Sequence, residues 1–78
     1  MVDDPVVGER LYWVIGDPRF NQFIDPVLVT DLHPDPGSVM VNPDFAPGGT
    51  FVAQCTALFH QHTEAELAAV ARALGAEL

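Results

Sequence analysis

Two histidines set one residue apart, His60-Gln61-His62, with Glu66 four positions after the second, are the side chains in this chain best suited to chemistry. Alternate residues of a strand project to one side, so the two imidazoles would face a common ion with Glu66 adding a carboxylate. A further ligand would have to come from His33 or another acid. The simpler reading is a polar junction between a strand and a helix, with His62 beside the helix start. Cys55 is the sole thiol, which excludes a disulfide within the chain and a cysteine metal cluster. It stands among alternating apolar residues, the setting of a buried, inert thiol rather than a nucleophile. No Ser/His/Asp arrangement is suggested by spacing, and GxGxxG and P-loop patterns are absent. Asp4, Asp17, Asp25, Asp35 and Asp44 each adjoin a proline, which is turn chemistry and not a pair of catalytic carboxylates. These residues therefore imply no catalytic set, and no cofactor is expected.

Tyr12, Trp13, Phe20, Phe23 and Phe45 form the other candidate constellation. They have the chemistry of an aromatic cage for a cationic side chain, with Asp17 or Asp44 supplying charge. Against this, a chain of 78 residues buries only about 60–65% of its unfolded surface and needs most of its aromatics for the core.

Charge narrows the partners. Three Arg, no Lys and eleven Asp plus Glu give a net charge of −8. So few cations leave little to neutralise phosphates, which disfavours a nucleic-acid surface and an anionic membrane face alike. Acidity of this kind serves solubility or a basic partner; eleven acids dispersed through turns are few for a mimic of DNA. The first ten residues, MVDDPVVGER, carry no basic-then-apolar signal, and no apolar run approaches the roughly 20 residues of a membrane span. A cytoplasmic or virion-associated protein is the expectation.

The elements that must position these residues follow from periodicity. A single domain over 1–78 is expected, with strands near 7–15, 27–32, 38–42 and 50–60 and a helix near 64–74. Val27–Leu32 and Val39–Asn42 read as a hairpin, joined by Asp35-Pro36-Gly37-Ser38, which fits a type II turn with positive φ at the glycine. Asp17-Pro18 suits one helical turn that would tuck Phe20 and Phe23 inward as a lid. Thr50–His60 is the longest alternating run, with Phe51, Ala53, Cys55, Ala57 and Phe59 on one face. Thr63-Glu64-Ala65-Glu66 has the form of a capping box. Leu67, Val70, Ala71 and Leu74 then fall at i, i+3, i+4 and i+7. That stripe is expected to dock on the barrel, Leu67 and Leu74 contributing about 1.5–3 kcal/mol each.

VGERLYWVI, the long loop GDPRFNQFID, PVLVTDL, SVMVN and TFVAQCTALF, followed by the helix, resemble in order and loop length the small SH3-like and Tudor-like barrels. The resemblance implies a mainly β, α+β fold: a four- to five-stranded antiparallel barrel with one C-terminal helix. Barrels of this kind often bind peptides or nucleic acids; the resemblance carries no ligand residue onto this chain. The His60/His62/Glu66 spacing also resembles a cupin metal motif, but Gln54 stands where that motif has glycine. The Lys-free, Ala-, Val-, Asp- and Pro-rich composition is similar to that of high-GC actinobacteria and their phages. Together these features lead us to expect a non-enzymatic interaction module with a protein partner or a second copy, and a metal-binding role for His60, His62 and Glu66 as the alternative.

Overall fold

A computed structural model describes residues 1–77. Five antiparallel strands, β1 (Arg10–Ile15), β2 (Phe23–Leu32), β3 (Ser38–Pro43), β4 (Phe51–Gln54) and β5 (Leu58–Phe59), form one sheet in the order β4-β3-β2-β1-β5. A 3₁₀ turn, Cys55–Ala57, separates β4 from β5, and the helix α1 spans His62–Glu77. The sheet curls into a half-barrel. It is a mainly β, α+β fold with one C-terminal helix.

Residues paired across a ladder share a face, so the register sorts the side chains. Leu11 pairs with Val27, Val29 with Val41 and Val39 with Ala53. These residues, with Leu58 and Val2, are the buried inner core. Thr30 adds to the curl. The ladder runs Val29↔Val41 and then Asp31↔Met40, leaving Thr30 as a bulge residue, and a bulge sharpens local twist. It also shifts Asp31 by one position, to the side of Met40. Strict alternation would have sent that carboxylate into the valine core.

The run from Thr50 to His60 is not one strand. The 3₁₀ turn carries the chain from β4, paired with β3, to the free edge of β1, where Leu58 pairs with Trp13 and Phe59 with Tyr12. Three residues of turn change the parity of the alternation. Ala53 and Leu58 both face the inner core, while Phe59 passes to the outer face. The uniform apolar face expected from Phe51 to Phe59 is thus divided between two cores. Cys55 is buried at the bend.

Two turns also differ from expectation. Ser38 N donates to Asp35 O at 3.1 Å, so the Asp35–Ser38 turn exists, but Gly37 has no positive φ and the turn is not type II. The Asp35 carboxylate does the ordering instead, accepting from Gly37 N and Ser38 Oγ. At Asp17–Phe20, Phe20 N donates to Asp17 O at 3.0 Å, yet Phe20 is 80% exposed and no inward lid forms. Phe23 belongs to β2. Gly16 makes the sharp exit from β1: its φ is +106°, and a Cβ there would run into the Asn21 carbonyl oxygen.

The helix docks by a different face from the one expected. Ala65 is fully buried and packs, with Ala68 and Ala69, against Val14, Phe59, Tyr12 and Ile24 on the outer sheet face. Leu67 is 73% exposed, Val70 57% and Leu74 58%. Volume explains the choice. The sheet supplies the large side chains at this contact, so the helix must supply small ones for the layers to approach at close-packed density. Its N-terminus is also set earlier than Thr63. Gln61 O accepts the first helical bond from Ala65 N, and Glu64 reaches back to Gln61 N at 3.3 Å. Glu64 thus performs the return half of a capping box for Gln61.

Candidate functional site

The candidate aromatic residues separate into three groups. Tyr12 lies on the outer face beneath α1, edge-on to His62 with ring centroids 5.4 Å apart. Phe20 is alone on its turn. Trp13, Phe23 and Phe45 come together at one end of the inner face, and they are joined by Phe51. Centroid separations are 6.4 Å for Trp13–Phe51, 5.7 Å for Phe51–Phe45 and 5.7 Å for Phe45–Phe23.

Each ring is placed by the ladder. Trp13 pairs with Leu58 and Phe51 with Val41, so both continue the face that carries the valine core. Phe23 follows from Asp25, the partner of Trp13, two positions along β2. Phe45 stands on the β3–β4 loop, and that loop is pinned from both sides. Asn42 Nδ2 donates to the carbonyls of Ala46 and Gly49, and Phe45 N donates to Asp25 Oδ2 at 3.2 Å. Asp25 is therefore committed to holding the loop. The result is a row of four rings with fixed backbones, edge-on or tilted to one another, as aromatic quadrupoles prefer. Phe23, Phe45 and Phe51 remain 46%, 49% and 39% exposed.

Phe51 was absent from the sequence-derived set because its alternation with Ala53 reads as core. The available signal was its position just after Gly48-Gly49, where a strand begins at the rim of a barrel.

The carboxylates proposed to charge a cage are occupied elsewhere. Asp17 is 3.3 Å from Arg19, whose hydrogen bond holds its carboxyl below the usual value. Asp44 lies 3.9 Å from Arg10.

His62 Nδ1 and Glu66 Oε1 are 3.0 Å apart, one helical turn from each other. His60 is exposed beyond β5. His33 Nδ1 accepts from Asp35 N at 3.0 Å in the β2–β3 turn. Among the described residues no three His, Cys, Asp or Glu side chains are grouped to hold a metal ion. His62 and Glu66 alone make an i,i+4 pair at a helix start.

A wide cleft lies where the 3₁₀ turn meets the end of β1, lined among others by Gln54, Thr56, Ile15 and Arg72. His33, Asp35 and Ser38 also line it: Ser38 Oγ donates to Asp35 Oδ2 at 3.3 Å, and His33 Nδ1 accepts from Asp35 N. No helix among the described residues is long and apolar enough to cross a membrane. Comparison of the chain with protein-family models, curated proteins and solved structures finds no match.

Proposed function

We propose that this protein is a non-enzymatic interaction module that receives an apolar segment of a protein partner on the row Trp13–Phe51–Phe45–Phe23. One observation carries the reading: the row is half-exposed although its loop is pinned by Asn42 and Asp25. A floppy loop would expose rings by default. A pinned loop holds them out at the cost of leaving apolar area in water, and contiguous exposed apolar patches mark contact sites. Rigid aromatics suit recognition because little conformational entropy is lost when they are covered. The chain's net charge of −8 favours a segment in which proline or aliphatic side chains adjoin Lys or Arg.

The strand order, with a 3₁₀ turn before the last strand, supports reading the fold as an SH3-like small barrel. The Lys-free composition supports a high-GC actinobacterial or phage source, where such a module would join virion or host proteins. A metal role for His60, His62 and Glu66 draws no support from an arrangement that brings only the last two together.

Selection of a displayed library of random peptides on the immobilised protein tests the reading. Enriched sequences should carry the apolar-plus-basic pattern and lose binding to a Phe45→Ser/Phe51→Ser variant. Enrichment that survives this double substitution would place the contact elsewhere.

A further inference from the structure

We propose that the outward stripe of α1, Leu67, Val70 and Leu74, is the docking seam for an amphipathic helix of a protein partner whose own apolar seam is flanked by Lys or Arg. The inference is independent of the aromatic row, which lies on the opposite face of the sheet.

The helix has already satisfied the sheet. Ala65, Ala68 and Ala69 make that contact, and among the described residues nothing covers the larger aliphatic side chains on the other side. Their spacing, i, i+3 and i+7, is the a/d pattern by which two helices interlock. Leu67 to Leu74 covers two turns, about 10.5 Å of helix axis. Along one flank stand Ala71, which is exposed, and Gly75, where a Cβ would meet nothing within 4 Å. A flank so low lets a second helix axis approach to the short end of the 8–10 Å range of helix packing.

The acids select the charge. By helical geometry Glu66 stands on one side of the stripe and Glu64 on the other, beyond Ala71; both are exposed, Glu66 beside His62 Nδ1 at 3.0 Å and Glu64 accepting from Gln61 N at 3.3 Å. The three Arg residues of the chain are engaged elsewhere. Arg10 lies 3.9 Å from Asp44, Arg19 3.3 Å from Asp17, and Arg72 Nη2 donates to Gly16 O at 3.5 Å. A second copy would bring the same acids and another charge of −8 to the seam, while each Arg already has an acceptor within its own chain. Like charges brought together across an interface act against the wrong partner. A helix with basic flanks meets both conditions, apolar seam to apolar seam and Lys or Arg to Glu64 and Glu66.

The probe is a synthetic amphipathic peptide of roughly 20 residues, long enough to form helix, with a Leu seam flanked by Lys. One comparator keeps the seam with Glu flanks; another keeps the Lys residues with Ser in the seam. Binding is read by fluorescence anisotropy and by amide chemical shifts on the full chain. The Lys-flanked Leu peptide should bind, move amides over 63–75, and weaken as salt is raised. Val70→Lys and Leu67→Gln, each at an exposed position and each checked for retained circular dichroism, should weaken it at least about tenfold, as loss of a central contact does. The proposal is overturned if no probe binds, or if either comparator binds equally well. It is also overturned if sedimentation equilibrium shows a dimer that Val70→Lys dissolves, because the occupant would then be a second copy.

Discussion

Ala65 and Leu67 stand two residues apart on α1 and face opposite environments: Ala65 is wholly buried against the sheet and Leu67 is 73% exposed. The smaller side chain therefore matters more to stability than the larger one. Ala65→Leu adds volume to a filled contact with Val14 and Phe59 and should cost about 1–3 kcal/mol. Leu67→Asp should stay within about 0.5 kcal/mol of the parent, as exposed substitutions do. Thermal melts followed by circular dichroism compare the two. A melt lowered by Leu67→Asp and unmoved by Ala65→Leu would mean that the helix docks by its leucine stripe.

Gly16 and Gly75 should respond to alanine with opposite signs. Gly16 combines a φ of +106° with a close approach to Asn21 O, and Gly75 is a helical residue facing open space. Gly16→Ala should destabilise by about 1–3 kcal/mol through backbone strain. Gly75→Ala should stabilise by up to about 1 kcal/mol through helix propensity. Urea unfolding curves measure both, and a neutral Gly16→Ala would contradict the tight exit from β1.

The contrast between these two glycines shows what the sequence makes legible. Hairpin, helix and fold class follow from period-2 and period-3.6 patterns in Val27–Asn42 and in the C-terminal segment. The helix carries two apolar stripes, one of alanines and one of larger aliphatics, and periodicity alone cannot rank them. Only the bulk of Tyr12, Ile24 and Phe59 across the interface decides for the alanines. The bend at Cys55-Thr56-Ala57 was equally hidden, because it contains no glycine or proline to mark it. Its parity change sends Phe59 outward and leaves Phe51 at the rim. The aromatic row therefore became visible only once the strands were in register.

Asn42 is the strut of that row. Its amide donates to two carbonyls, those of Ala46 and Gly49, across the loop that carries Phe45. Asn42→Ala leaves both without their partner and should cost about 1–3 kcal/mol. Amide exchange in residues 44–49 should accelerate in this variant. Unchanged exchange would show that the loop is not held by Asn42.

Asp17 and Arg19 give a pH test of the β1–β2 loop. The hydrogen bond from Arg19 to Asp17 lowers the Asp17 pKa and raises that of Arg19. For a carboxyl depressed in the folded state, the stabilisation is present above its unfolded pKa and is lost as pH falls through the lower folded value. Arg19→Gln should move the Asp17 titration upward in a carboxyl-detected NMR experiment and abolish this acid-side contribution. A titration unaffected by Arg19→Gln would remove the pair from the account of the loop.

The most direct test of the aromatic row as a contact surface uses Trp13, the only tryptophan in the chain, whose ring lies 6.4 Å from Phe51. Its emission is free of any second indole, and because Trp13 also lines the cleft beside the 3₁₀ turn, the Phe45/Phe51 variant assigns the signal to the row. Titrating the protein with a peptide selected from the displayed library should shift the Trp13 emission to the blue and protect it from acrylamide quenching, with saturation. The same titration of the Phe45→Ser/Phe51→Ser variant should leave both unchanged. Binding that saturates while the emission and quenching of Trp13 stay constant would contradict the account.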